Sequence, residues 1–220
     1  MSEPLLSPAF LFRFSVACRY SQKARSVSEL QLADEHAIPT FGEMEGRPLF
    51  ADVRAAWCEK GLAFTCRVTG KSQSPWCRAS RAEDSDGLQV WIDTRNAHNI
   101  HRATRFCHRF IFLPTGSGRQ MNEPTAETLP IQRAREEPKR AAKGSLEIAG
   151  RTYAGGYEVQ AFVAADSLTG FDPADHPRLG FSYAVIDREL GWQTFSVGPE
   201  FPFTADPSLW GTLELVDRQR

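Results

Sequence analysis

The sequence lacks the features that would place it among nucleic-acid-binding, membrane or secreted proteins. Its formal net charge is −1 at pH 7, so no excess of positive charge points to a nucleic-acid partner. No window approaches the roughly 18 apolar residues of a membrane-spanning helix. Residues 1–20 have neither a basic start nor a small-residue cleavage site. We therefore expect no nucleic-acid partner, no membrane partner and no signal peptide.

Paired cysteines are also missing. The chain has five cysteines, an odd number, and their spacing suits neither a disulfide framework nor a zinc ribbon. They are Cys18, Cys58, Cys66, Cys77 and Cys107. Free thiols are typical of a reducing compartment. The sequence therefore predicts a cytoplasmic protein.

The motifs of the common enzyme classes are absent as well. The chain has no GxSxG nucleophile elbow, no Walker phosphate loop and no GxGxxG after a strand. Cys107 and His108 are neighbours, but neighbouring residues of a strand point to opposite faces, so they are not expected to act as nucleophile and base. We expect a protein that is not an enzyme.

Strand signals dominate what the sequence does contain. Residues 86–95 and 105–114 alternate apolar and polar side chains with the period of two that is typical of strands. Pro114 is expected to end the second of these strands, and a Glu-Lys-Gly turn at 59–61 joins two further strands in a hairpin. Helical patterns are confined to a few short turns. The sequence therefore predicts an all-β fold, an antiparallel β-sandwich.

No linker divides the chain. We expect an N-terminal strand and connector over residues 1–34, with the strand at 9–20, packed on a sandwich of residues 35–220. Two long polar loops, 70–85 and 114–143, interrupt the strands. Loops longer than about 15 residues in a compact domain are usually functional or mobile. A binding site is therefore expected among the loops.

Five segments follow one another in an order that matches a known pattern. They are VRAAWCEKGLAF (53–64), DSDGLQVWIDTR (84–95), GGYEVQAFVAADSL (155–168), LGFSYAVIDRE (179–189) and DPSLWGTLEL (206–215). Together they resemble the strands of family 9 carbohydrate-binding modules and of the related DOMON-like sandwiches. One departure is Gln160, which stands where the family usually has Glu. The resemblance implies a jelly-roll-like antiparallel sandwich.

Characterised members of that family hold a sugar between two tryptophans. The resemblance therefore implies non-catalytic binding of a saccharide, or a similar hydroxyl-rich ligand, at the rim of loops. Such a site needs exposed flat aromatic rings flanked by hydrogen-bonding side chains, because sugar rings present apolar C–H faces. The candidate stacking residues are Trp76, Phe201 and Phe203, although the family has tryptophan where Phe201 and Phe203 lie. The candidate polar contacts are Asp86, Gln89 and Arg95.

Calcium is the one cofactor that the resemblance implies, since the family often binds it as a structural ion. Calcium takes six to eight oxygen ligands. The oxygen-rich segment EDSD at residues 83–86 is the candidate site. The residues themselves predict no other cofactor.

The segment HNIHRATRFCHRF, residues 98–110, contains three of the five histidines of the chain. Zinc needs three or four ligands that converge at about 2 Å. His98, His101 and His108 therefore define one alternative function, that of a metal-dependent enzyme. The main interpretation of this segment is a turn that leads into an ordinary strand.

A second alternative uses the arginines of the same region. These are Arg95, Arg102, Arg105 and Arg109, and with the histidines they form a basic edge. We expect this edge to pair with Glu83, Asp84 or Asp93. The edge and the loop 114–143 define a protein-interaction or scaffold sandwich as the other alternative.

Overall fold

The computed structural model describes residues 8–217, and its architecture is all-β. Its strands are β1 (Ser15–Tyr20), β2 (Ala51–Cys58), β3 (Gly61–Thr69), β4 (Gly87–Asp93), β5 (Cys107–Ser117), β6 (Glu123–Leu129), β7 (Leu146–Tyr153), β8 (Gly156–Ala164), β9 (Arg178–Asp187), β10 (Gly191–Thr194) and β11 (Gly211–Val216). The helical segments of this part are short 3₁₀ turns at Pro8–Leu11, Val27–Glu29, Asp34–His36, Phe41–Glu45, Ala79–Asp84, Ala165–Ser167 and Pro207–Leu209. Among residues 8–217, no helix is long and apolar enough to cross a membrane.

All the strands belong to one sheet. Its order is β6-β5-β4-β9-β11-β1-β2-β3-β8-β7, and β10 pairs with β9 beside this path. Most neighbours are antiparallel, but β1 runs parallel to both β11 and β2. The prediction of a purely antiparallel sheet is therefore wrong at β1, because the N-terminal strand lies inside the sheet and joins its two halves.

The predicted division at residue 34 stays a prediction. The strand expected at 9–20 is shorter than predicted, since a 3₁₀ turn precedes β1. Residues 1–7 of the predicted N-terminal segment and residues 218–220 of the predicted sandwich lie outside the described residues.

The sheet curls until it nearly closes on itself. Gly150 in β7 lies so close to β5 that a Cβ atom there would be 2.4 Å from the carbonyl oxygen of Pro114. In the interior, Phe64 of β3 stacks on Phe112 of β5 and on Phe181 of β9, with 6.4 Å between ring centroids in each pair. The main core therefore lies between the two halves of the curled sheet.

Strand β5 continues through Pro114, and β6 lies in a segment that was predicted to be a loop. The ladder between β5 and β6 is irregular between Leu113 and Ser117. Proline lacks the N–H group that a regular ladder requires, and it is tolerated here because the ladder is irregular at this position. The prediction of a continuous loop over 114–143 is therefore wrong, since only residues 118–122 and 130–143 of this segment lie outside strands.

Both faces of β4 are buried. Leu88, Val90 and Ile92 face the main core, as the period of two predicted. The intervening Trp91 lies in a second apolar cluster, together with residues of the loops that follow β4 and β10, such as Phe203. The loops thus form a covering layer over the outer face of the sheet, and the candidate site lies at the margin of this layer.

Candidate binding rim around Trp76

The loop between β3 and β4 folds back on itself and presents Trp76. The Trp76 carbonyl accepts a hydrogen bond from the Asp86 amide at 2.9 Å, and the Asp86 carboxylate accepts one from the Trp76 amide at 3.0 Å. The hydroxyl of Ser85 accepts from the Arg78 amide and donates to the Arg81 carbonyl, at 2.9 Å in both cases. These bonds hold the Trp76 indole half-buried at the surface.

Three guanidinium groups surround the Trp76 ring. The central carbon of the Arg188 group lies 4.0 Å from the ring centroid, and those of Arg81 and Arg78 lie 5.5 and 5.7 Å away. Cations at these distances are attracted to the negative face of an indole. The ring is therefore held by charged side chains as well as by the backbone of its loop.

A buried ion cluster ties this loop to the turn between β9 and β10. The ammonium of Lys71 lies 2.7 Å from Asp187 and 3.2 Å from Asp86, and none of the three side chains is more than 2% exposed. Burial disfavours the charged ammonium, but the hydrogen bonds and charges of the two aspartates outweigh it and raise the pKa of Lys71. Asp86 also accepts a bond from the Arg188 amide at 2.9 Å.

The segment 83–86 does not form a calcium site. Its charged side chains have separate partners: Glu83 pairs with Arg109, Asp84 with Arg81, and Asp86 with Lys71. Calcium requires six to eight oxygens around one point, whereas here a lysine ammonium already lies between the buried aspartates. The residues present therefore do not fit a calcium ion. Among residues 8–217, no group of three or more His, Cys, Asp or Glu side chains is placed to hold a metal ion.

Behind the rim, Arg109 forms a buried polar cluster on the outer face of the sheet. Its Nη2 and Nε donate to Gln89 Oε1 at 2.8 and 3.3 Å, and its Nη1 donates to Glu83 Oε1 at 3.1 Å. Burial lowers the pKa of Arg109, and the charge of Glu83 opposes this shift. Since Glu83 is 49% exposed, the cluster reaches from the covered layer to solvent at the Trp76 loop.

The six predicted ligand contacts do not lie together. Asp86 and Gln89 are each 1% exposed, and they hold Lys71 and Arg109 in place. They support the rim from behind rather than facing solvent. The sequence did not single out Arg109 as a site residue, although it did predict a pairing between the arginines of this region and Glu83. Arg109 lies on the polar face of an alternating strand, and that alternation is the only feature of the sequence that could have identified it as a site residue.

The two phenylalanines have different environments. Phe203 is fully buried, with its ring centroid 5.3 Å from that of Trp91, so it belongs to the second apolar cluster and cannot serve as a stacking face. Phe201 is half-buried and stacks on Phe10 at 5.0 Å. Arg95 lies over the ring of Phe106 at 4.7 Å.

The three histidines of the metal alternative also have separate partners. They lie beside Thr212 Oγ1 (His98), Asp206 Oδ2 (His101) and the Thr169 amide (His108), at 3.1, 3.1 and 3.0 Å. Because a zinc ion needs ligands that converge on one point, this arrangement does not provide a zinc site.

His101, Asp206 and Ser208 contain the residue types of a catalytic triad but not its geometry. Both the Ser208 hydroxyl and the Asp206 carboxylate approach Nδ1 of His101, at 3.1 Å. In a catalytic triad the serine and the acid bind different ring nitrogens, so that the histidine takes the serine proton at one nitrogen while the acid orients the ring through the other. Here Asp206 instead caps the turn Pro207–Leu209, since it accepts a bond from the Ser208 amide.

Comparison with known proteins gives a likeness in structure only. No family model matches the sequence, and no curated protein is a significant match. A family 9 carbohydrate-binding module from Caldicellulosiruptor kristjanssonii, solved in complex with cellotriose, superposes with a TM-score of 0.62 at 12% identity, over 94% of this chain and 95% of the other. A module of the same family and organism in complex with glucose gives 0.59 at 14% identity, over 94% and 97%. The chain therefore has the fold of family 9 carbohydrate-binding modules, as its sequence motifs predicted.

Proposed function

We propose that the chain is a non-catalytic module that binds a saccharide, or a similarly hydroxyl-rich ligand, at the rim around Trp76. The observation that carries this proposal is the half-buried Trp76 indole, held at the surface by two hydrogen bonds with Asp86, in the loop that also carries the exposed Glu83. A sugar ring stacks its apolar C–H face on such a ring while neighbouring side chains bind its hydroxyls. The fold supports the proposal, since two structures that share it hold cellotriose and glucose.

Each polar residue has a role in this proposal. The exposed Glu83 carboxylate binds ligand hydroxyls, and the buried Arg109 holds that carboxylate in place through its Nη1. Gln89 positions Arg109, because its Oε1 accepts two of the guanidinium bonds. Asp86 positions Trp76, because both of its oxygens are already occupied within the protein.

The proposal also covers the type of β-fold, the lack of enzyme activity and the cellular location. We interpret the curled sheet as a jelly-roll-like β-sandwich, on the basis of the likeness to the two modules. The likeness to two carbohydrate-binding modules supports a protein that is not an enzyme. All five cysteines are buried free thiols, which supports a cytoplasmic location.

A protein-interaction role at the basic edge 95–109 remains the alternative, but two of its four arginines are hydrogen-bonded within the protein. Arg102 donates to the carbonyl of Arg133 at 2.8 Å, and Arg109 is buried beside Gln89. Because these groups are already engaged, no specific observation favours this alternative over saccharide binding.

The test of the proposal is binding to an immobilised glycan array by the wild type, Trp76→Ala and Trp76→Phe. We expect Trp76→Ala to weaken binding at least tenfold, which corresponds to about 1.4 kcal/mol. Trp76→Phe keeps a flat ring and should retain part of the affinity. Thermal unfolding of each variant shows whether it is folded. Glycan binding that a folded Trp76→Ala variant leaves unchanged, or an array on which nothing binds, contradicts the proposal.

A further inference from the structure

Within the described part of the chain, one of the three arginines around Trp76 is paired with a carboxylate and two are not. Arg81 has a carboxylate partner in Asp84, at 2.6 Å, and both side chains are 58% exposed. Arg78 and Arg188 also lie at the ring, but within residues 8–217 neither has a carboxylate at ion-pairing distance. Two exposed guanidinium groups therefore lie beside the Trp76 ring without a counter-ion.

The acidic groups of the neighbouring segments do not neutralise these two cations. Asp86 and Asp187 are buried against Lys71. Glu189 is held by the loop before Trp76, since it accepts bonds from the amides of Ser72 at 2.7 Å and Gln73 at 3.1 Å. The hydrogen bond from the Ser72 hydroxyl and these amide bonds lower the pKa of Glu189 to about 2, so it stays ionised, but its oxygens face the loop. The unpaired charge at the rim is therefore positive.

We infer that the Trp76 rim selects anionic saccharides, whose sugar units carry a carboxylate or a sulfate, over neutral ones. This inference rests on the proposed function and specifies the ligand class of the same site. Guanidinium groups bind carboxylate and sulfate oxygens in a planar, two-bond geometry that a hydroxyl does not offer. A sugar ring stacked on Trp76 would bring such a substituent close to Arg188 and Arg78, which lie 4.0 and 5.7 Å from the ring centroid.

The test compares matched glycans on one array. Oligouronates and sulfated oligosaccharides are printed beside their carboxyl-reduced and desulfated counterparts, so each pair differs only in charge. We expect at least tenfold preference for the charged member of a pair in 50 mM NaCl. The preference should shrink in 500 mM NaCl, because the Debye length, over which charges attract each other, falls from about 10 Å at 0.1 M to about 3 Å at 1 M salt. The uronate and sulfate arms show which anionic group is recognised.

Two variants and a control locate the selectivity. Arg188→Gln and Arg78→Gln should each reduce the charged-to-neutral ratio at least threefold. Arg151→Gln is the matched control, because Arg151 is an exposed arginine of β7 that pairs with Glu158 of β8, away from the rim. Arg151→Gln should leave the ratio unchanged.

The outcomes separate this inference from the proposed function. Trp76-dependent binding that treats charged and neutral glycans alike, or prefers the neutral ones, overturns the inference and leaves the proposed function standing. A preference for charged glycans that Arg188→Gln and Arg78→Gln both retain also overturns it. Absence of binding to every glycan overturns both.

Discussion

Lys71 and Asp187 form an ion pair in the interior of the protein, with the lysine ammonium 2.7 Å from both oxygens of the aspartate. The same ammonium also donates to Asp86 at 3.2 Å. The Lys71 ammonium therefore neutralises charge between the two buried carboxylates of Asp86 and Asp187. This arrangement fixes the loop that presents Trp76 to the turn after β9.

We predict that Lys71→Met destabilises the protein by about 3–5 kcal/mol, because it leaves buried carboxylates without a counter-ion. The free energy of unfolding from urea titration measures this loss. Arg151→Met is a control for an exposed ion pair, and it should cost less than about 1 kcal/mol. If the two variants lose the same stability, the Lys71 cluster does not hold the fold together.

We predict that calcium does not stabilise this fold, because Lys71 occupies the position between the acids that a cation would need. The melting temperature of the wild type should be the same in 5 mM EDTA and in 5 mM calcium chloride. A calcium-dependent rise of several degrees would show that the oxygen-rich segment 83–86 binds the ion after all.

Phe203 and Phe201 provide a matched pair that separates a core residue from a surface residue. We predict that Phe203→Ala costs about 3–5 kcal/mol, because it opens a cavity beside Trp91. Phe201→Ala removes a half-buried ring stacked on Phe10, and should cost no more than about 1 kcal/mol. Thermal and urea unfolding of the two variants gives the comparison. Equal losses would contradict the burial of Phe203.

The strand pattern of the sequence was sufficient to predict the all-β class, and the order of motifs was sufficient to predict the fold family. Period-two alternation identified Leu88 and Ile92 as core residues of β4. The same alternation left Trp91 on the opposite face, where a sequence shows no reason for burial. The loop that covers it comes from a distant part of the chain, and its contacts depend on the tertiary structure.

The binding rim was predictable only in part. Trp76 was identified because a tryptophan after proline in a polar loop favours partial exposure, and the structure places it half-buried at the surface. Asp86 and Gln89 were also identified, but polar residue types do not show whether a side chain faces a ligand or a neighbouring residue. Only the structure shows that they hold Lys71 and Arg109 instead.

The strand topology could not be predicted from the sequence either, because it depends on contacts between distant parts of the chain. Parallel pairing of β1 with two neighbours depends on contacts between both ends of the chain, such as that of Cys18 with Leu215. Strand β6 has the sequence EPTAETL, which lacks the alternating apolar residues of a typical strand. Since β6 is an edge strand, hydrogen bonds to β5 rather than burial define it.

His108 is a buried neutral histidine, and it makes stability depend on pH. Burial lowers the pKa of its ring from 6.5 to about 4. Its Nε2 accepts a hydrogen bond from the Thr169 amide at 3.0 Å, which requires that nitrogen to carry no proton. As the pH falls, the unfolded chain is protonated at this position first. Stability that is present above pH 6.5 is therefore lost between pH 6.5 and 4.

We predict that the free energy of unfolding falls with pH more steeply in the wild type than in His108→Gln, which keeps an acceptor but does not titrate. By linkage, the His108 contribution should amount to about 2 kcal/mol between pH 7 and pH 5. Urea unfolding of both proteins at pH 7.5, 6.0 and 5.0 gives this difference. Other groups that titrate in this range, such as His98, are present in both proteins and cancel. Parallel pH profiles would show that His108 is protonated in the folded protein near its ordinary pKa, and that its burial against Thr169 does not hold in solution.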